Sequence, residues 1–282
     1  MAGWTFTDPF HRQPYPSISP TRPELSQAGR TVLVTGGAQG VGLAISKAFL
    51  QASASKVVIV SRRQATMSDG LKELESYGLA DRVVSKICDM SDAEAAARLW
   101  ADLRDEGTIV DVLVLNAVAP GVHPTILEAG TEEVWRDYSM NARAQLDFTE
   151  RFYKQSGQGS SSKVSHNART DWPWLAMSLE RKSDTPQYLV NISTFAIHDW
   201  EANKRPAYGL TKNAGALIMQ LIARDTPPET LQIVSVNPGP NFTRSAQEAG
   251  YKEDEFQWNS SMIHMPSIRA TFDNELISGP HR

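Results

Sequence analysis

Residues 31–45 read Thr-Val-Leu-Val-Thr-Gly-Gly-Ala-Gln-Gly-Val-Gly-Leu-Ala-Ile, and this stretch decides the fold. Thr31–Thr35 is an apolar, β-branched run, which is typical of a buried strand. Glycines follow immediately, and from Gly42 to Ala52 the apolar residues recur at helical spacing. A strand that turns through glycines into a helix is typical of α/β domains that bind a phosphate at the helix N-terminus.

The alternation of strand and helix continues along the chain. Further strands are predicted at Lys56–Val60, Val83–Ile87, Asp111–Leu115, Tyr188–Ile192 and Leu231–Val236. Helices are predicted at Ser68–Tyr77, at Asp92–Arg104 with Ser91 as N-cap, at Thr131–Lys154 with Thr131 as cap, and around Tyr208 as far as Arg224. This order predicts one doubly wound parallel sheet of the Rossmann type, with helices on both faces.

Three segments depart from this rhythm. Residues 1–28 are proline-rich and are expected to form an extended tail on a single domain formed by residues 29–245. Residues 155–186 contain a Gly/Ser run and are interpreted as a surface insertion in that domain. Residues 246–282 are polar and irregular, and one role open to them is that of a lid over a substrate.

Composition limits the classes of function. The 282 residues carry a net charge of −4, which argues against a nucleic-acid or anionic-membrane partner. Cys88 is the only cysteine, so no internal disulfide and no cysteine zinc cluster can form, and the histidines lack metal-ligand spacing. The first residues do not resemble a secretory signal, and no stretch approaches the ~20 apolar residues of a membrane helix. We therefore expect a cytoplasmic protein that binds no metal.

The glycine turn is a candidate phosphate site. Glycines let the backbone approach a pyrophosphate closely, and the helix N-terminus supplies free N–H groups. The spacing Gly-x-x-x-Gly-x-Gly differs from both the usual dinucleotide fingerprint and the phosphate loop ending in Gly-Lys-Ser/Thr. A tight structural turn without a ligand is the alternative. The candidate residues are Gly36, Gln39, Gly40, Val41 and Gly42.

The end of the second strand bears on which dinucleotide would bind. An NAD site usually presents an acidic residue to the ribose about 20 residues after the glycines. Here Ser61, Arg62 and Arg63 occupy that place, and no acidic residue occurs between positions 35 and 66. Two guanidiniums favour the 2′-phosphate of NADP, unless they only solvate the strand end. Asp89, after the third strand, is placed either to accept from an adenine amino group or to cap the next helix.

Tyr208 and Lys212 form a Tyr-x-x-x-Lys pair far downstream of the glycine turn. Positions i and i+4 share one face of a helix, so both side chains can reach one site. A free tyrosine has a pKa near ~10, and a neighbouring ammonium would stabilise the phenolate and lower that pKa. Such a pair alone is common by chance, but together with the upstream glycine turn it indicates a nicotinamide-dependent oxidoreductase.

With these motifs in place, the sequence resembles the short-chain dehydrogenase/reductase family from about Gly29 to Thr243. The N-terminal Tyr15-Pro16-Ser17-Ile18 and the context Arg205–Asn213 are similar to the fungal branch of that family. The matching motifs, in chain order, are Thr35-Gly36-x-x-x-Gly40-x-Gly42, Asp89, Asn116-Ala117, Asn141, Asn191-Ile192-Ser193-Thr194, Tyr208-x-x-x-Lys212 and Asn237-Pro238-Gly239-x-x-x-Thr243.

The resemblance implies a role for each matching residue. Tyr208 would be the general acid in reduction, Lys212 would bind the nicotinamide ribose, and Asn141 would hold a water in the proton relay. Thr194, with Ser193 beside it, would bond the substrate carbonyl. Residues that would line the cofactor site, besides those of the glycine turn, are Asn116, Pro238, Gly239 and Thr243.

The sequence thus predicts an NADP-dependent oxidoreductase that interconverts a small carbonyl compound and its alcohol. One alternative is a catalytically weak NADP-binding protein of the same fold. Another is a nucleotide-sugar epimerase or dehydratase, although such relatives usually carry glycine at the position of Gln39. The apolar residues Leu217, Ile218, Leu221 and Ile222 are interpreted as core or subunit interface, which leaves a homo-oligomer open.

Overall fold

A six-stranded parallel sheet forms the centre of the structure. It is seen in a computed structural model that describes residues 15–121, 124–155, 186–198, 205–243, 246–247 and 250–254. The strands run in the spatial order β3-β2-β1-β4-β5-β6. They are Thr31–Thr35 (β1), Lys56–Ser61 (β2), Val83–Ile87 (β3), Val112–Leu115 (β4), Gln187–Ile192 (β5) and Leu231–Val236 (β6).

The strand order places a crevice at the centre of the sheet. β1 and β4 are hydrogen-bonded neighbours, with Val32 opposite Val112, and the chain winds outward from them in opposite directions. In open α/β sheets, ligands bind where this reversal occurs, outside the carboxyl ends of the strands. The prediction of a doubly wound Rossmann-type sheet is confirmed. The loops after β1 and β4 flank the crevice in which a ligand is expected.

Alternating residues of the strands build a core on each face of the sheet. Val32 and Val34 of β1 pack with Ile45 on one face, whereas Leu33 packs with Phe148 on the other; all five side chains are buried. Because successive strand residues point to opposite faces, apolar strands of this kind must be covered by helices on both sides. The helices are Gly40–Gln51 (α1), Gln64–Ser76 (α2), Ala93–Asp105 (α3), Ile126–Tyr138 (α4), Ala144–Lys154 (α5) and Pro206–Asp225 (α6).

The starts of α2 and α3 differ from the predicted ones. α2 begins at Gln64 rather than Ser68, directly after β2. The N-cap of α3 is Asp92, whose carboxylate accepts hydrogen bonds from the backbone N–H groups of the second and third residues of the helix. Ser91 does not cap this helix because its backbone N–H and hydroxyl both donate to Asp89, at 2.9 and 2.6 Å.

The long predicted helix is divided. α4 is capped by Thr125, which exchanges hydrogen bonds with Glu128, so Thr131 is not the cap of α4. Gly130 interrupts α4 with φ +71° and ψ 171°. A five-residue π-helix, Ser139–Arg143, then separates α4 from α5. Such wider turns change which side chains face inward, and they occur often at functional sites.

Several predicted segments fall wholly or largely outside the described residues. These are residues 1–14 of the tail, 156–185 of the predicted insertion, and most of 246–282. Within the described part of the tail, Pro16–Ile18 and Pro23–Leu25 form 3-10 turns, and the N–H of Gln27 donates to the carbonyl of Ala52 at 2.7 Å. Of the helices in the described residues, none is long and apolar enough to cross a membrane.

Candidate active site

The predicted site residues converge at the carboxyl edge of the sheet. Gly36 follows β1, Asn116 follows β4, Ser193 and Thr194 follow β5, and Asn237 follows β6. Parallel strands end at the same edge, so four loops from distant parts of the sequence meet there. The glycine turn and the loops near the Tyr-x-x-x-Lys pair are therefore brought together at this edge.

The glycine turn is too tight for side chains. A β-carbon at position 42 would lie 2.2 Å from the carbonyl oxygen of Gly36, and Gly36 itself has φ +63°, where glycine is favoured. α1 begins at Gly40, and the preceding Gln39 makes no side-chain capping bond. The first N–H groups of α1 thus face the turn uncapped by a side chain. This arrangement fits a bound pyrophosphate.

Thr35 and Asn116 fix the turn to the loop after β4. The Thr35 hydroxyl donates to the carbonyl of Val114 and accepts from the backbone N–H groups of Asn116 and Ala117, at 2.9 and 3.1 Å. The Asn116 amide donates to the carbonyls of Thr35 and Gly36, at 2.9 and 3.2 Å. Asn116 thus holds the glycine turn in place through its side chain, and it also lies at the carboxyl edge of the sheet, where the cofactor site is predicted.

The turn after β6 lies against the glycine turn. A β-carbon on Gly40 would meet the Thr243 methyl group at 3.4 Å. Gly239 has φ +67°, and the Asn241 amide donates to the carbonyls of Pro238 and Gly239, at 2.9 and 3.0 Å. Sequence reasoning missed Asn241, although its position between Pro238-Gly239 and Thr243 was the available signal.

The cationic residues after β2 are exposed. Arg62 and Arg63 lie between β2 and α2, and Arg63 is the N-cap residue of α2. Across the described residues, no carboxylate forms an ion pair with either guanidinium. Ser61 is buried at the strand end. One carboxylate oxygen of Asp89 accepts two hydrogen bonds from Ser91, so this oxygen is already engaged by a neighbouring residue.

Tyr208 is bonded to Thr194. The two side chains form a hydrogen bond, and the side-chain oxygen of Thr194 also accepts from the N–H of Ala196 at 3.3 Å. Ser193 is buried, and its backbone N–H donates to the carbonyl of Val236 at 2.7 Å. The structure therefore brings Thr194 to the tyrosine and uses Ser193 to join β5 to β6.

Burial dominates the proton affinities of Tyr208 and Lys212. Burial raises the pKa of Tyr208, whereas its bond with Thr194 and the charge of Arg205 lower it. Burial lowers the pKa of Lys212 from 10.5 to about 8, and its ammonium donates to the carbonyl of Ile192 at 2.6 Å. The expectation of a tyrosine pKa lowered by Lys212 is therefore not what this chain shows, because desolvation outweighs the lowering and the cation that acts is Arg205.

Asn141 is a clamp. Its fully buried side chain exchanges hydrogen bonds with the N–H and carbonyl of Ala119, at 2.8 and 3.0 Å, and donates to the Thr211 hydroxyl at 2.9 Å. Both amide protons are therefore used, and a water would have to bind its backbone carbonyl. That carbonyl lies 2.3 Å from where a β-carbon of Gly215 would be. Thr211, between Tyr208 and Lys212, was not identified from the sequence.

A cavity of about 580 Å³ opens beside Thr194. It is lined by the 3-10 turn Phe195–Ile197, by α6 and by the end of β6. His198 and Gln220 contribute polar groups to its wall, and Phe195 contributes an aromatic ring. This volume is in the range of small-molecule pockets, and it adjoins the hydroxyl that contacts Tyr208.

Comparisons with known proteins identify the family. Residues 30–165 match the family model for short chain dehydrogenase. The chain is 30% identical over 255 residues to short chain dehydrogenase pgmD of Aspergillus terreus, covering 86% of this chain and 74% of that protein. It belongs to the short-chain dehydrogenase/reductase family. Short chain dehydrogenase/reductase AacuD of Aspergillus aculeatus is 24% identical over 274 residues, covering 97% of this chain and 83% of that protein.

The fold agrees with solved structures of short-chain dehydrogenases. The active-site complex of Pseudomonas aeruginosa RhlG with NADP superposes with a TM-score of 0.65 at 22% identity, covering 82% of this chain and 80% of that one. This short-chain dehydrogenase/reductase thus shares its fold with bacterial proteins and has relatives in fungi, as the sequence motifs predicted.

The burial of Lys212 predicts a pH-dependent stability. Between pH 8 and 10.5 the unfolded chain binds a proton at this lysine that the folded chain has released, so stability rises with pH across that window. Below pH 8 the full cost of burying the charge is present. Relative to Lys212→Met, the wild type should gain on the order of 3 kcal/mol of unfolding free energy from pH 7 to 10.5.

Urea unfolding of the cofactor-free protein at several pH values measures this difference. Lys72→Met, which changes an exposed lysine of α2, is the matched control and should run parallel to the wild type. A Lys212→Met curve that also runs parallel to the wild type would show that Lys212 is not desolvated.

Proposed function

We propose that this short-chain dehydrogenase/reductase transfers a hydride between NADP(H) and a carbonyl or alcohol substrate, with Tyr208 as the acid–base group. The observation that carries the proposal is the hydrogen bond between Tyr208 and Thr194 at the carboxyl edge of the sheet, beside the glycine turn and the cavity. A partly buried, uncharged tyrosine is the form that can give a proton to a carbonyl oxygen.

In this proposal each side chain has one task. When bound, the nicotinamide supplies or accepts the hydride. In reduction Tyr208 gives its proton to the oxygen of the substrate carbonyl, and the Thr194 hydroxyl donates a hydrogen bond to that same oxygen. Lys212 lies one turn further along the same face of α6 and is placed to bond a ribose hydroxyl. Asn141 holds α6 against the loop after β4, so the distances among these groups stay fixed.

The cofactor site proposed for NADP(H) uses both ends of the crevice. The glycine turn Gly36–Gly42 and the N-terminus of α1 would receive the pyrophosphate. Arg62 and Arg63 would bind the 2′-phosphate, since both are exposed and none of the described carboxylates pairs with them. The turn at Pro238-Gly239 and Thr243 would seat the nicotinamide, and Asp89 would face the adenine.

NADPH should bind more tightly than NADH. Charge-assisted bonds from Arg62 and Arg63 to the 2′-phosphate should be worth ~1.5–3 kcal/mol, or about ten- to a hundredfold in Kd. The double variant Arg62→Ala/Arg63→Ala should lose most of this preference, whereas Lys72→Ala, which removes an exposed cation farther along α2, should keep it. Dissociation constants measured by fluorescence decide the matter, and equal or tighter binding of NADH would refute the assignment.

Oxidation of NADPH with a panel of ketones and aldehydes tests the reaction itself. The proposal expects turnover of at least one carbonyl class and none with the panel omitted. Tight NADPH binding without turnover of any member would favour the alternative, a binding protein of the same fold. If nucleotide sugars are added as a separate panel, their epimerisation or dehydration without net oxidation of NADPH would favour an epimerase or dehydratase.

Thr194, rather than Ser193, should orient the substrate carbonyl. Thr194→Val removes the hydroxyl that reaches Tyr208, so kcat at saturating NADPH should fall on the order of 10²-fold. Ser193→Ala should cost much less, because Ser193 is buried and its backbone joins β5 to β6. Steady-state kinetics of the two variants provide the comparison, and a larger loss in Ser193→Ala would transfer the role to Ser193.

A further inference from the structure

Arg205 stacks on the ring of Tyr208. Its guanidinium carbon lies 4.6 Å from the centre of the Tyr208 ring and 5.4 Å from the centre of the Tyr251 ring. Both distances are within the range of cation–π attraction. Arg205 precedes α6 as its N-cap residue, and Tyr208 is the third residue of that helix. A guanidinium thus lies against the proposed acid–base group and against a ring from the C-terminal segment.

The same side chain ties Tyr208 to the loop after β4. One nitrogen of the Arg205 guanidinium donates to the carbonyl of Pro120 at 3.0 Å. The next residue, Gly121, has φ +57°, and a β-carbon there would lie 2.7 Å from the backbone nitrogen of Tyr208. The loop, Arg205 and Tyr208 are therefore in direct contact, and a shift of Arg205 would release one side of the tyrosine.

The position of Arg205 is unfavourable for the helix. The N-terminus of α6 carries the positive end of the helix dipole, and its first turn contains no acidic residue. A cation at a helix N-terminus is disfavoured by the dipole, the reverse of the usual preference for anions there. Its contacts with the two rings and with Pro120 offset this cost. The guanidinium therefore lies over the Tyr208 ring although the helix dipole disfavours a cation at this position.

The charged and titratable groups around Tyr208 single out one cation. Among the described residues, Arg205 and Tyr251 are the ionisable groups whose charges act on the pKa of Tyr208, and they lower and raise it respectively. Thr194 contributes a hydrogen bond from the loop after β5. Lys212, on the next turn of α6, directs its ammonium to the carbonyl of Ile192.

We propose that Arg205 is a positioning residue for Tyr208, which holds the ring in contact with Thr194 and stabilises the phenolate left when Tyr208 gives up its proton. The inference rests on the proposed function. In the reduction step a hydride adds to the carbonyl carbon, the Tyr208 O–H bond breaks, and its proton forms the alcohol O–H. The negative charge that remains on Tyr208 then lies beside the Arg205 guanidinium.

The test compares Arg205→Leu with Arg205→Lys in the alcohol-oxidising direction, where Tyr208 must be ionised. In Arg205→Leu the pH at which the rate reaches its plateau should rise by about one pH unit, which lowers the rate about tenfold at pH values well below the wild-type plateau. Arg205→Lys keeps the charge and should restore the wild-type pH profile. Arg30→Leu is the matched control, because it also removes a guanidinium stacked on a tyrosine. Arg30 lies 4.8 Å over the ring of Tyr188, near the amino ends of the strands and away from Tyr208. This control should leave the profile unchanged.

A second measurement separates this proposal from the proposed function. The ultraviolet absorbance of the phenolate, taken as the difference between each protein and its Tyr208→Phe counterpart, follows the ionisation of Tyr208 without turnover. Phenolate should appear at higher pH in Arg205→Leu than in the wild type, even if no carbonyl compound is reduced. The proposal is overturned if phenolate appears at the same pH in both, or if Arg205→Leu and Arg205→Lys lose rate equally at every pH.

Discussion

The side chain of Asn141 makes the contact on which the rest of the site depends. It is fully buried and joins Ala119, in the loop after β4, to Thr211, on the helix that carries Tyr208 and Lys212. Asn141 lies in the π-helix between α4 and α5. Its carbonyl comes so close to α6 that position 215 has no room for a β-carbon. Two elements distant in sequence are thus held at a fixed separation.

Burial then determines the chemistry of Tyr208 and Lys212, the Tyr-x-x-x-Lys pair on α6. It disfavours the charged form of each, so Tyr208 is held as a neutral phenol and the pKa of Lys212 falls to about 8. A neutral phenol is a proton donor, and its conjugate base needs a neighbouring positive charge. In this chain that charge is supplied by Arg205, on the face of the ring. Among the residues that the structure describes, no carboxylate pairs with Lys212, so burying its ammonium costs stability at the proposed active site.

The strands and the glycine turn were predictable because their causes are local. Runs such as Thr31–Thr35 and Leu231–Val236 are apolar and β-branched, and the structure places strands at those bounds. The glycines of the turn follow from the steric limits of a strand-to-helix reversal, and Gly42 shows that limit directly. The order of motifs along the chain also predicted the family, which the fungal relatives confirm.

The predictions failed where the deciding contact joins residues far apart in sequence, or where two neighbouring residues could fill the same role. Ser91 and Asp92 are both good caps, and Asp92 caps because Asp89 engages Ser91. The π-helix that positions Asn141 depends on packing against α6, which no periodicity reveals. Lys212 was expected to act on Tyr208 because the two share a helical face, but its ammonium bonds the carbonyl of Ile192 instead. Which cation reaches the Tyr208 ring is determined by the folded loops rather than by residue spacing.

The most direct test of the account is the comparison of Tyr208→Phe with the wild type in a single-turnover reduction with bound NADPH. The substitution removes only the hydroxyl that is bonded to Thr194 and leaves the ring against Arg205. The account predicts an unchanged Kd for NADPH and a fall in the rate of carbonyl reduction of ~10²–10⁴-fold. A rate close to that of the wild type, with NADPH bound equally well, would contradict the assignment of Tyr208 as the proton donor.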